Sequence, residues 1–153
     1  MENDNYGFKF RNWDIYNDAR KFRNDIYLLS SNFPKDEKFG LVDQLRRASV
    51  SIILNIAESA NKNTDKDRRV YINRSHCSLD EVIACMDCAL DEGYIDKEKH
   101  LKVLESGSSL AKRLNAFSNF LYKNNRWIYS IPSKFNVQSS MFYKTVDFCY
   151  QIV

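Results

Sequence analysis

Apolar residues recur at alternating steps of about three and four positions in four separate stretches of the chain. This spacing places them on one side of an α-helix and predicts four amphipathic helices, each burying one face. The predicted core positions are Ile15, Ala19, Phe22, Ile26, Leu29 and Phe33 in the first helix; Leu41, Leu45, Ala48, Ile52 and Ile56 in the second; Tyr71, Ser75, Leu79, Val82, Met86 and Ala89 in the third; and Leu101, Leu104, Ser108, Ala111, Leu114, Phe117 or Ser118, and Leu121 in the fourth.

Individual residues mark the ends of these helices. The first helix must stop before Pro34, because the residue ahead of a proline disfavours the α-helical conformation. The acidic Glu37 precedes the second helix and suits its N-terminus. Thr64 is placed to cap the third helix, with Asp67 three residues further on, and Gly93 is typical of the residue that ends a helix.

The connections between the four helices are short, so consecutive helices are expected to be antiparallel neighbours. Four glycines and two prolines in 153 residues predict few turns and long helices. The predicted fold is therefore all-α, an up-down-up-down four-helix bundle over residues 1–124. Asn124 and Asn125 are expected to end the fourth helix. Residues 125–153 form a C-terminal extension, either a short fifth helix packed on the bundle or an arm that reaches a partner subunit.

The composition is that of a globular domain. Hydrophobic residues make up 44% of the chain and charged residues 28%, which is ordinary for a soluble protein. No apolar run approaches the roughly 18 residues that span a bilayer, and the polar residues 1–5 do not resemble a secretory signal. We therefore expect a cytoplasmic protein with no membrane partner, whose four cysteines stay reduced.

Charge is unevenly distributed along a chain whose net charge is only +3. Residues 61–75 carry five basic and two acidic side chains, for a net charge of +3. Residues 76–98 carry one basic and seven acidic side chains, for a net charge of −6. Because the basic segment runs directly into the acidic one along the third helix, the sequence predicts complementary charges at the two ends of that helix.

Clustered lysines and arginines form the candidate nucleic-acid site. The phosphates of nucleic acids bind cations that are grouped on one end or face of a protein. The alternative interpretation is a solvated helix end, where the same charges face water and bind no partner. The residues predicted to bind nucleic acid are Arg46, Arg47, Lys62, Lys66, Arg68, Arg69 and Arg74.

A second polar group follows one line along the second and third helices. If these two faces meet, Arg46 or Arg47 is expected to pair with Glu81 or Glu58, and Asn55 to bridge the helices. One interpretation is an internal polar network that fixes the register of the helices. The other is a site that contacts RNA or another protein. The predicted network residues are Ser51, Asn55, Glu58, Ser78 and Glu81.

The sequence shows no pattern typical of an enzyme or a metal protein. His76 and His100 have no evident nucleophile partner, and there is no glycine-rich phosphate loop. Cys85 and Cys88 share a helix face, but the second pair of ligands that a zinc site needs is missing. We therefore interpret these cysteines and Cys77 as buried structural residues, and we expect no enzymatic activity, cofactor or metal.

One block of the second predicted helix, from Gln44 to Glu58, forms a long motif that is specific to one protein family. Shorter motifs of the same family occur over roughly residues 8–122. The residues that carry these matches are Trp13, Ala19, Ile26, Tyr27, Phe33, Pro34, Glu37, Gly40, Leu41, Gln44–Ile52, Asn55–Glu58, Ser78, Leu79, Glu81, Gly93 and Tyr94. In these residues the chain resembles the four-helix-bundle proteins encoded in intervening sequences of bacterial 23S ribosomal RNA genes. Through them it also resembles the accessory variability proteins of diversity-generating retroelements.

The resemblance implies an antiparallel bundle without enzymatic activity that assembles as a homo-oligomeric ring, commonly a pentamer. The retroelement branch implies binding to a reverse transcriptase and to RNA or DNA. The leading hypothesis is a non-enzymatic oligomeric protein that binds nucleic acid, with RNA as the expected target. The alternative is a protein-interaction scaffold, such as an accessory subunit of a reverse transcriptase.

The chain departs from the resemblance directly after Glu58. Proteins of this kind continue with a Gly-x-Gly-Arg-like turn, whereas here the residues are Ser59, Ala60, Asn61 and Lys62. The basic side chain is retained as Lys62, but the glycines are absent. Because glycine favours a turn and destabilises a helix, its absence here leads us to expect the second helix to continue for about one further turn.

Overall fold

Four α-helices form the fold in the computed structural model, which describes residues 7–129 and the side chains of residues 7–123. They are α1 (Asp14–Ser30), α2 (Leu41–Ser59), α3 (Asp65–Asp91) and α4 (Lys97–Tyr129), with short 3₁₀ helices at Lys9–Asn12 and Lys35–Phe39. No strand occurs between residues 7 and 129, so the predicted all-α, four-helix fold is confirmed. Most of the predicted C-terminal extension, residues 130–153, lies outside the described residues.

Each helix packs against the next one in the chain, and α4 also packs against α1, so that every helix contacts two neighbours. Contacts between α2 and α3 pair Gln44 with Glu81 and the backbone of Ile52 with Ser75, so the residue numbers rise along one helix as they fall along the other. These two helices therefore run in opposite directions. None of the described helices combines the length and the apolarity that a membrane crossing requires.

The other two helix contacts follow the same order. Arg69 contacts Ser118 near the start of α3, whereas Asp87 contacts His100 near its end. Between α1 and α4, the ring of Trp13 packs edge-on against Phe117 at a centroid distance of 5.2 Å. Thus α4 runs opposite to α3, and the start of α1 lies beside the later turns of α4.

The predicted core of α1, α2 and α3 is confirmed at most positions. Ala19 and Ile26 of α1, Leu45 and Ile52 of α2, and Leu79 of α3 are all at most 1% exposed. Positions at the edges of the predicted stripes are half-buried, because the stripe is wider than one line of residues. These edge positions are Leu29, Leu41 and Tyr71.

The predicted core stripe of α4 is wrong in its first half. Leu101 is 57% exposed and Ser108 is exposed, whereas Val103 and Leu110 are buried. Gly107 lies between these buried residues, and a Cβ atom added to it would come within 2.9 Å of the side chain of Ile83. Helices α3 and α4 approach so closely here that the inward face of α4 carries a glycine. A pattern of apolar side chains does not identify such a position.

Most of the predicted helix ends are confirmed. Helix α1 stops at Ser30, ahead of Pro34. The Thr64 hydroxyl accepts a hydrogen bond from the backbone N–H of Asp67 at 3.0 Å and caps α3. Gly93 has a φ of 72°, and the next N–H, from Tyr94, donates to Ala89 O at 2.9 Å, which closes the C-terminus of α3.

Two predicted helix ends are wrong. Helix α2 ends at Ser59 without any glycine, because three successive N–H groups, from Ala60 to Lys62, turn back to carbonyl oxygens three residues earlier. These short bonds satisfy the last carbonyls of the helix. Helix α4 continues to Tyr129, past Asn124 and Asn125, since neither residue prevents a helix from continuing.

The carboxylate of Glu37 joins the two turns at one end of the bundle. Its Oε2 atom accepts a hydrogen bond from the N–H of Leu41 at 2.9 Å, the first residue of α2. Its Oε1 atom accepts one from the hydroxyl of Tyr94 at 3.1 Å. Partial burial of the phenol and this bond to Glu37 raise the pKa of Tyr94. Glu37 thus stabilises the N-terminus of α2 and fixes it to the α3–α4 turn.

Candidate nucleic-acid interface

Serine hydroxyls join α2 to α3 at the middle of the bundle. Ser51 and Ser78 share a hydrogen bond of 2.8 Å, and the buried Ser75 donates to the carbonyl of Ile52 at 3.0 Å. Asn55 donates to the carbonyl of Ser51 at 2.8 Å, within its own helix. The small serine side chains let α2 and α3 lie close together, and each buried hydroxyl has a partner, as burial requires.

The cross-helix pairs predicted for the arginines are wrong. Arg47 bonds to Asp43 and Gln44 on its own helix, and Glu81 is reached by Gln44. Glu58 pairs with Lys62 instead of an arginine, at 3.1 Å. Asn55 does not bridge the helices. Residues three or four positions apart on one helix are already neighbours, so the local pairs form in preference to the longer reach across to α3.

The bundle is divided into a basic and an acidic end at the level of this serine contact. The basic end, which holds the α2–α3 turn, comprises residues 7–21, 51–78 and 110–123, with twelve basic and five acidic side chains. The acidic end, which holds the other two turns, comprises residues 22–50 and 79–109, with eight basic and twelve acidic side chains. The charge contrast predicted for the third helix therefore extends over the whole described bundle.

The seven predicted nucleic-acid-binding residues fall into two groups along the bundle. Arg46 and Arg47 lie on α2 within the acidic end. The other five lie in the α2–α3 turn and the first turns of α3, within the basic end. These five residues are Lys62, Lys66, Arg68, Arg69 and Arg74. The candidate interface is therefore centred on the basic end, and Arg46 and Arg47 line a groove that reaches it at Glu58.

Acidic neighbours neutralise only some of these cations. Arg68 pairs with Asp65 at 3.0 Å, and Lys62 pairs with Glu58. Hydrogen bonds from Lys62 and Tyr71 lower the pKa of Glu58. Three of the five predicted binding cations at the basic end have no carboxylate within salt-bridge distance among residues 7–123, and their charge remains available to phosphate groups. They are Lys66, Arg69 and Arg74.

Aromatic rings alternate with the cations of the basic end. The ammonium nitrogen of Lys62 lies 4.0 Å from the centroid of the Tyr71 ring, and the guanidinium carbon of Arg74 lies 4.7 Å from it. On the neighbouring helix, Tyr122 is 47% exposed, and the guanidinium of Arg69 lies 4.7 Å from the centroid of its ring. Such mixtures of cations and rings suit nucleic acids, which present both phosphates and flat bases.

The surface around Arg46 has a structural role and an open groove. The guanidiniums of Arg23 and Arg46 lie 3.6 and 4.9 Å from the centroid of Tyr27, and Arg46 also donates to Ser30 at 3.2 Å. Arg46 therefore joins α2 to α1. The groove has a volume of about 680 Å³, and Leu54 in it is 61% exposed. Its lining residues are Tyr27, Asp43, Arg46, Arg47, Val50, Ser51, Leu54, Asn55 and Glu58.

The profile of the 23S rRNA-intervening sequence protein family matches residues 11–116, which span most of the four helices. The chain belongs to this family. One solved structure with the same fold is a protein with unknown function from the S23 ribosomal protein family of Bacteroides thetaiotaomicron VPI-5482. The two share 19% sequence identity with a TM-score of 0.61, over 68% of this chain and 97% of that chain. No curated protein matches the chain.

None of the three described cysteines is fully buried, contrary to the prediction. Cys77 and Cys88 are exposed and Cys85 is half-buried. Partial burial raises the pKa of the Cys85 thiol, and the neighbouring charge of Glu81 raises it further. Between residues 7 and 123, no three cysteine, histidine or acidic side chains gather as metal ligands. Cys149 lies outside the described residues.

Two contacts of this family member were missed by sequence reasoning. His100 is 9% exposed, and its Nε2 atom lies 2.7 Å from Asp87 Oδ1, across the α3–α4 turn. The ring of Tyr122 lies beside Arg69. Both contacts join residues on the antiparallel helices α3 and α4. The contact between Asp87 and His100 could have been predicted, because the two residues lie at similar distances from the α3–α4 turn.

Proposed function

We propose that this chain is a non-enzymatic, oligomeric protein that binds nucleic acid, with RNA as its target. The observation that carries the proposal is the basic end, where twelve basic side chains outnumber five acidic ones. The name of the family, which refers to a 23S rRNA intervening sequence, supports RNA over DNA. A nucleic acid binds through phosphates to clustered cations, and the affinity falls as salt replaces the displaced counterions.

The cations without a carboxylate partner are the residues proposed to contact phosphate. Lys66 and Arg74 are exposed on the outer side of α3, and Arg69 is half-buried between α3 and α4. Arg68 and Lys62, which pair with Asp65 and Glu58, would have to exchange a carboxylate for a phosphate. We therefore expect the first three residues to contribute most to binding.

The same charge division supports assembly into a homo-oligomer. Twelve acidic side chains at one end of a protomer complement the excess of basic ones at the basic end of another. A head-to-tail contact of this kind generates a closed ring when the rotation between copies closes. The proposed ring is a pentamer, and sedimentation equilibrium, which measures the mass of the assembly, tests its size.

The test of nucleic-acid binding is a series of affinities for a structured RNA between about 50 and 200 mM salt. The variant Lys66→Gln/Arg74→Gln removes two cations of the basic end. We expect a weaker affinity and a slope of log K against log salt that is smaller by about 1.4 to 1.8, since each phosphate contact contributes about 0.7 to 0.9.

The matched control is Lys38→Gln/Lys97→Gln, which removes the same charge from exposed residues of the acidic end. It should leave the slope unchanged. Absence of binding at low salt, or binding that does not depend on salt, would refute the proposed function. Equal effects of the two double variants would show that binding follows net charge and that the basic end is not the interface.

The groove on α2 favours a second candidate function, that of a protein-interaction scaffold. Leu54 exposes 61% of its surface beside Val50, and exposed apolar side chains at the centre of a groove are typical of protein contacts. The partner proposed is the reverse transcriptase of a diversity-generating retroelement. A reverse-transcriptase gene beside this one, and loss of co-purification with that enzyme in Leu54→Asp, would support the scaffold over the RNA-binding function.

A further inference from the structure

We propose that Arg69 and Tyr122 form a stacking site for an unpaired nucleobase, so that the basic end prefers single-stranded RNA to a duplex. The inference rests on the proposed function and specifies which form of RNA the site takes. It is carried by the position of one arginine against one exposed aromatic ring, at the contact between α3 and α4.

The contact fixes Arg69 on one side of the Tyr122 ring. The guanidinium carbon of Arg69 lies 4.7 Å from the ring centroid, and its Nε–H group donates to the hydroxyl of Ser118 at 3.4 Å. Ser118 is one turn before Tyr122 on α4, so both contacts hold Arg69 against the same helix. Tyr122 is nevertheless 47% exposed, and we infer that its ring keeps an area on which a flat base can stack.

Tyr71 provides the contrast within the same end of the bundle. Its ring is half-buried and is approached by two cations, Lys62 at 4.0 Å and Arg74 at 4.7 Å. Among the side chains of residues 7–123, Arg69 is the one cation that contacts the Tyr122 ring. Tyr122 is therefore the ring with room for a base, whereas the Tyr71 ring is already in contact with two cations of the protein itself.

Two further cations without carboxylate partners lie close in sequence to the residues of this contact. Lys66 lies three residues before Arg69 on α3, and Lys123 follows Tyr122 on α4; both are exposed and have no salt bridge within the described part of the chain. A strand whose base stacks on Tyr122 has its flanking phosphates within the reach of such long side chains. The site therefore offers one stacking contact and several charge contacts to the same strand.

This combination distinguishes an unpaired strand from a duplex. Bases within a helix are stacked on each other and do not offer a face to a protein ring, whereas the bases of a single strand can be splayed out. A single strand therefore gains both the stacking and the phosphate contacts. A duplex gains the phosphate contacts alone, so the preference depends on Tyr122 and the overall affinity on the cations.

The experiment measures fluorescence anisotropy of two labelled RNAs, an unstructured strand of about 12 nucleotides and a hairpin duplex of similar length. In Tyr122→Leu, which removes the ring, we expect the affinity for the single strand to fall roughly 5- to 100-fold, because stacking on an aromatic ring is worth about 1–3 kcal/mol per base. The affinity for the duplex should change less than about twofold, and the salt slope should stay the same for both RNAs.

Three matched variants complete the design. Tyr122→Phe keeps the ring and should retain the preference for the single strand. Lys123→Gln should weaken both RNAs and lower both salt slopes by about 0.7 to 0.9, as loss of a phosphate contact does. Tyr122→Trp places a fluorophore at the site, and its emission, taken as the difference from the unsubstituted protein, should be quenched by the single strand and not by the duplex.

Each result has a distinct meaning. Equal affinity of the unsubstituted protein for the two RNAs, or an equal loss of both in Tyr122→Leu, overturns the stacking site and leaves the proposed RNA-binding function intact. Absence of binding to either RNA at low salt overturns both proposals. If Tyr122→Leu loses its cooperative thermal unfolding, the quenching of Tyr122→Trp decides the matter, since that variant keeps an aromatic ring in place.

Discussion

The two ends of the bundle use their polar side chains in different ways. At the acidic end, Glu37 connects the first residue of α2 to Tyr94, and Asp87 contacts His100 across the next turn. At the basic end, Lys62 and Arg69 rest on aromatic rings that solvent can reach. Polar groups therefore connect neighbouring elements at the acidic end, whereas cations lie against exposed or half-buried rings at the basic end. Under the proposed function, the first arrangement serves stability and the second serves binding.

The helix caps sharpen this comparison, because each end has one with the same geometry. At the basic end, the neutral hydroxyl of Thr64 accepts from the N–H of Asp67 at 3.0 Å. At the acidic end, the carboxylate of Asp96 accepts from the N–H of Lys99 at 2.8 Å. The Thr64 hydroxyl also donates to the Asp67 carboxylate at 2.6 Å, whereas at the second cap the acceptor is itself a carboxylate.

The largest expected effect is on the stability of the acidic end. Glu37→Ala removes a carboxylate with two hydrogen-bond partners, Leu41 N–H and the Tyr94 hydroxyl, and should lower the free energy of unfolding by about 2–3 kcal/mol. Asp36→Ala removes the same charge from the neighbouring exposed position and should cost less than about 0.5 kcal/mol. Urea unfolding of both variants measures the difference, and equal losses would show that charge alone, and not the connection between turns, matters.

A smaller effect is expected at the basic end. Thr64→Ala removes the cap of α3 and should lower the free energy of unfolding by about 1 kcal/mol. Asn63→Ala, at the exposed position just before it, is the matched control and should be nearly neutral. Thermal unfolding followed by circular dichroism measures both variants. A loss in Thr64→Ala as large as that in Glu37→Ala would contradict the view that the acidic end is the more firmly joined of the two.

The smallest expected effect is the pH dependence of the cap at the acidic end. Hydrogen bonds from the backbone N–H and the side chain of Lys99 lower the pKa of Asp96 below its ordinary value of 3.8. A lowered pKa in the folded state means that the contribution of Asp96 to stability is present above pH 3.8 and is lost as the pH falls below it.

Asp96→Asn keeps an acceptor oxygen at the cap but does not titrate. The Tm of the unsubstituted protein should therefore exceed that of Asp96→Asn near neutral pH, and the difference should shrink as the pH falls through this range. A difference in Tm that stays constant over this pH series would refute the assignment of the cap to a charged carboxylate.

The fold was predictable wherever apolar side chains themselves form the core. The stripes of α1, α2 and α3 follow from Ile26, Ile52 and Leu79 and their neighbours, because burial of such side chains is what orients an amphipathic helix. The stripe of α4 was not predictable, since its inward face includes Gly107. The side chain of Ile83 occupies the space that a Cβ atom of this residue would need. A glycine that permits close packing gives no apolar signal in the sequence.

The candidate site was predictable in its composition but not in its arrangement. The charge of residues 61–75 identified the cations of the site. The partner of each cation depends on how far two neighbouring helices are shifted relative to each other along the bundle axis. Arg69 contacts Tyr122 because the α3–α4 turn sets the position of α4 beside α3. The two residues are 53 positions apart in the chain, so the periodicity of a single helix cannot predict their contact. For the same reason, Arg46 was grouped with the basic segment although it packs on Tyr27.

The opposite charges of the two ends give the bundle a permanent electric dipole along its axis. A polyanion that approaches from any direction exerts a torque on this dipole and turns the basic end toward itself before the surfaces touch. Under the proposed function, this torque favours the orientation in which the basic end meets the nucleic acid. Because this steering fades over about 8 Å at physiological ionic strength, added salt should slow association more than it speeds dissociation.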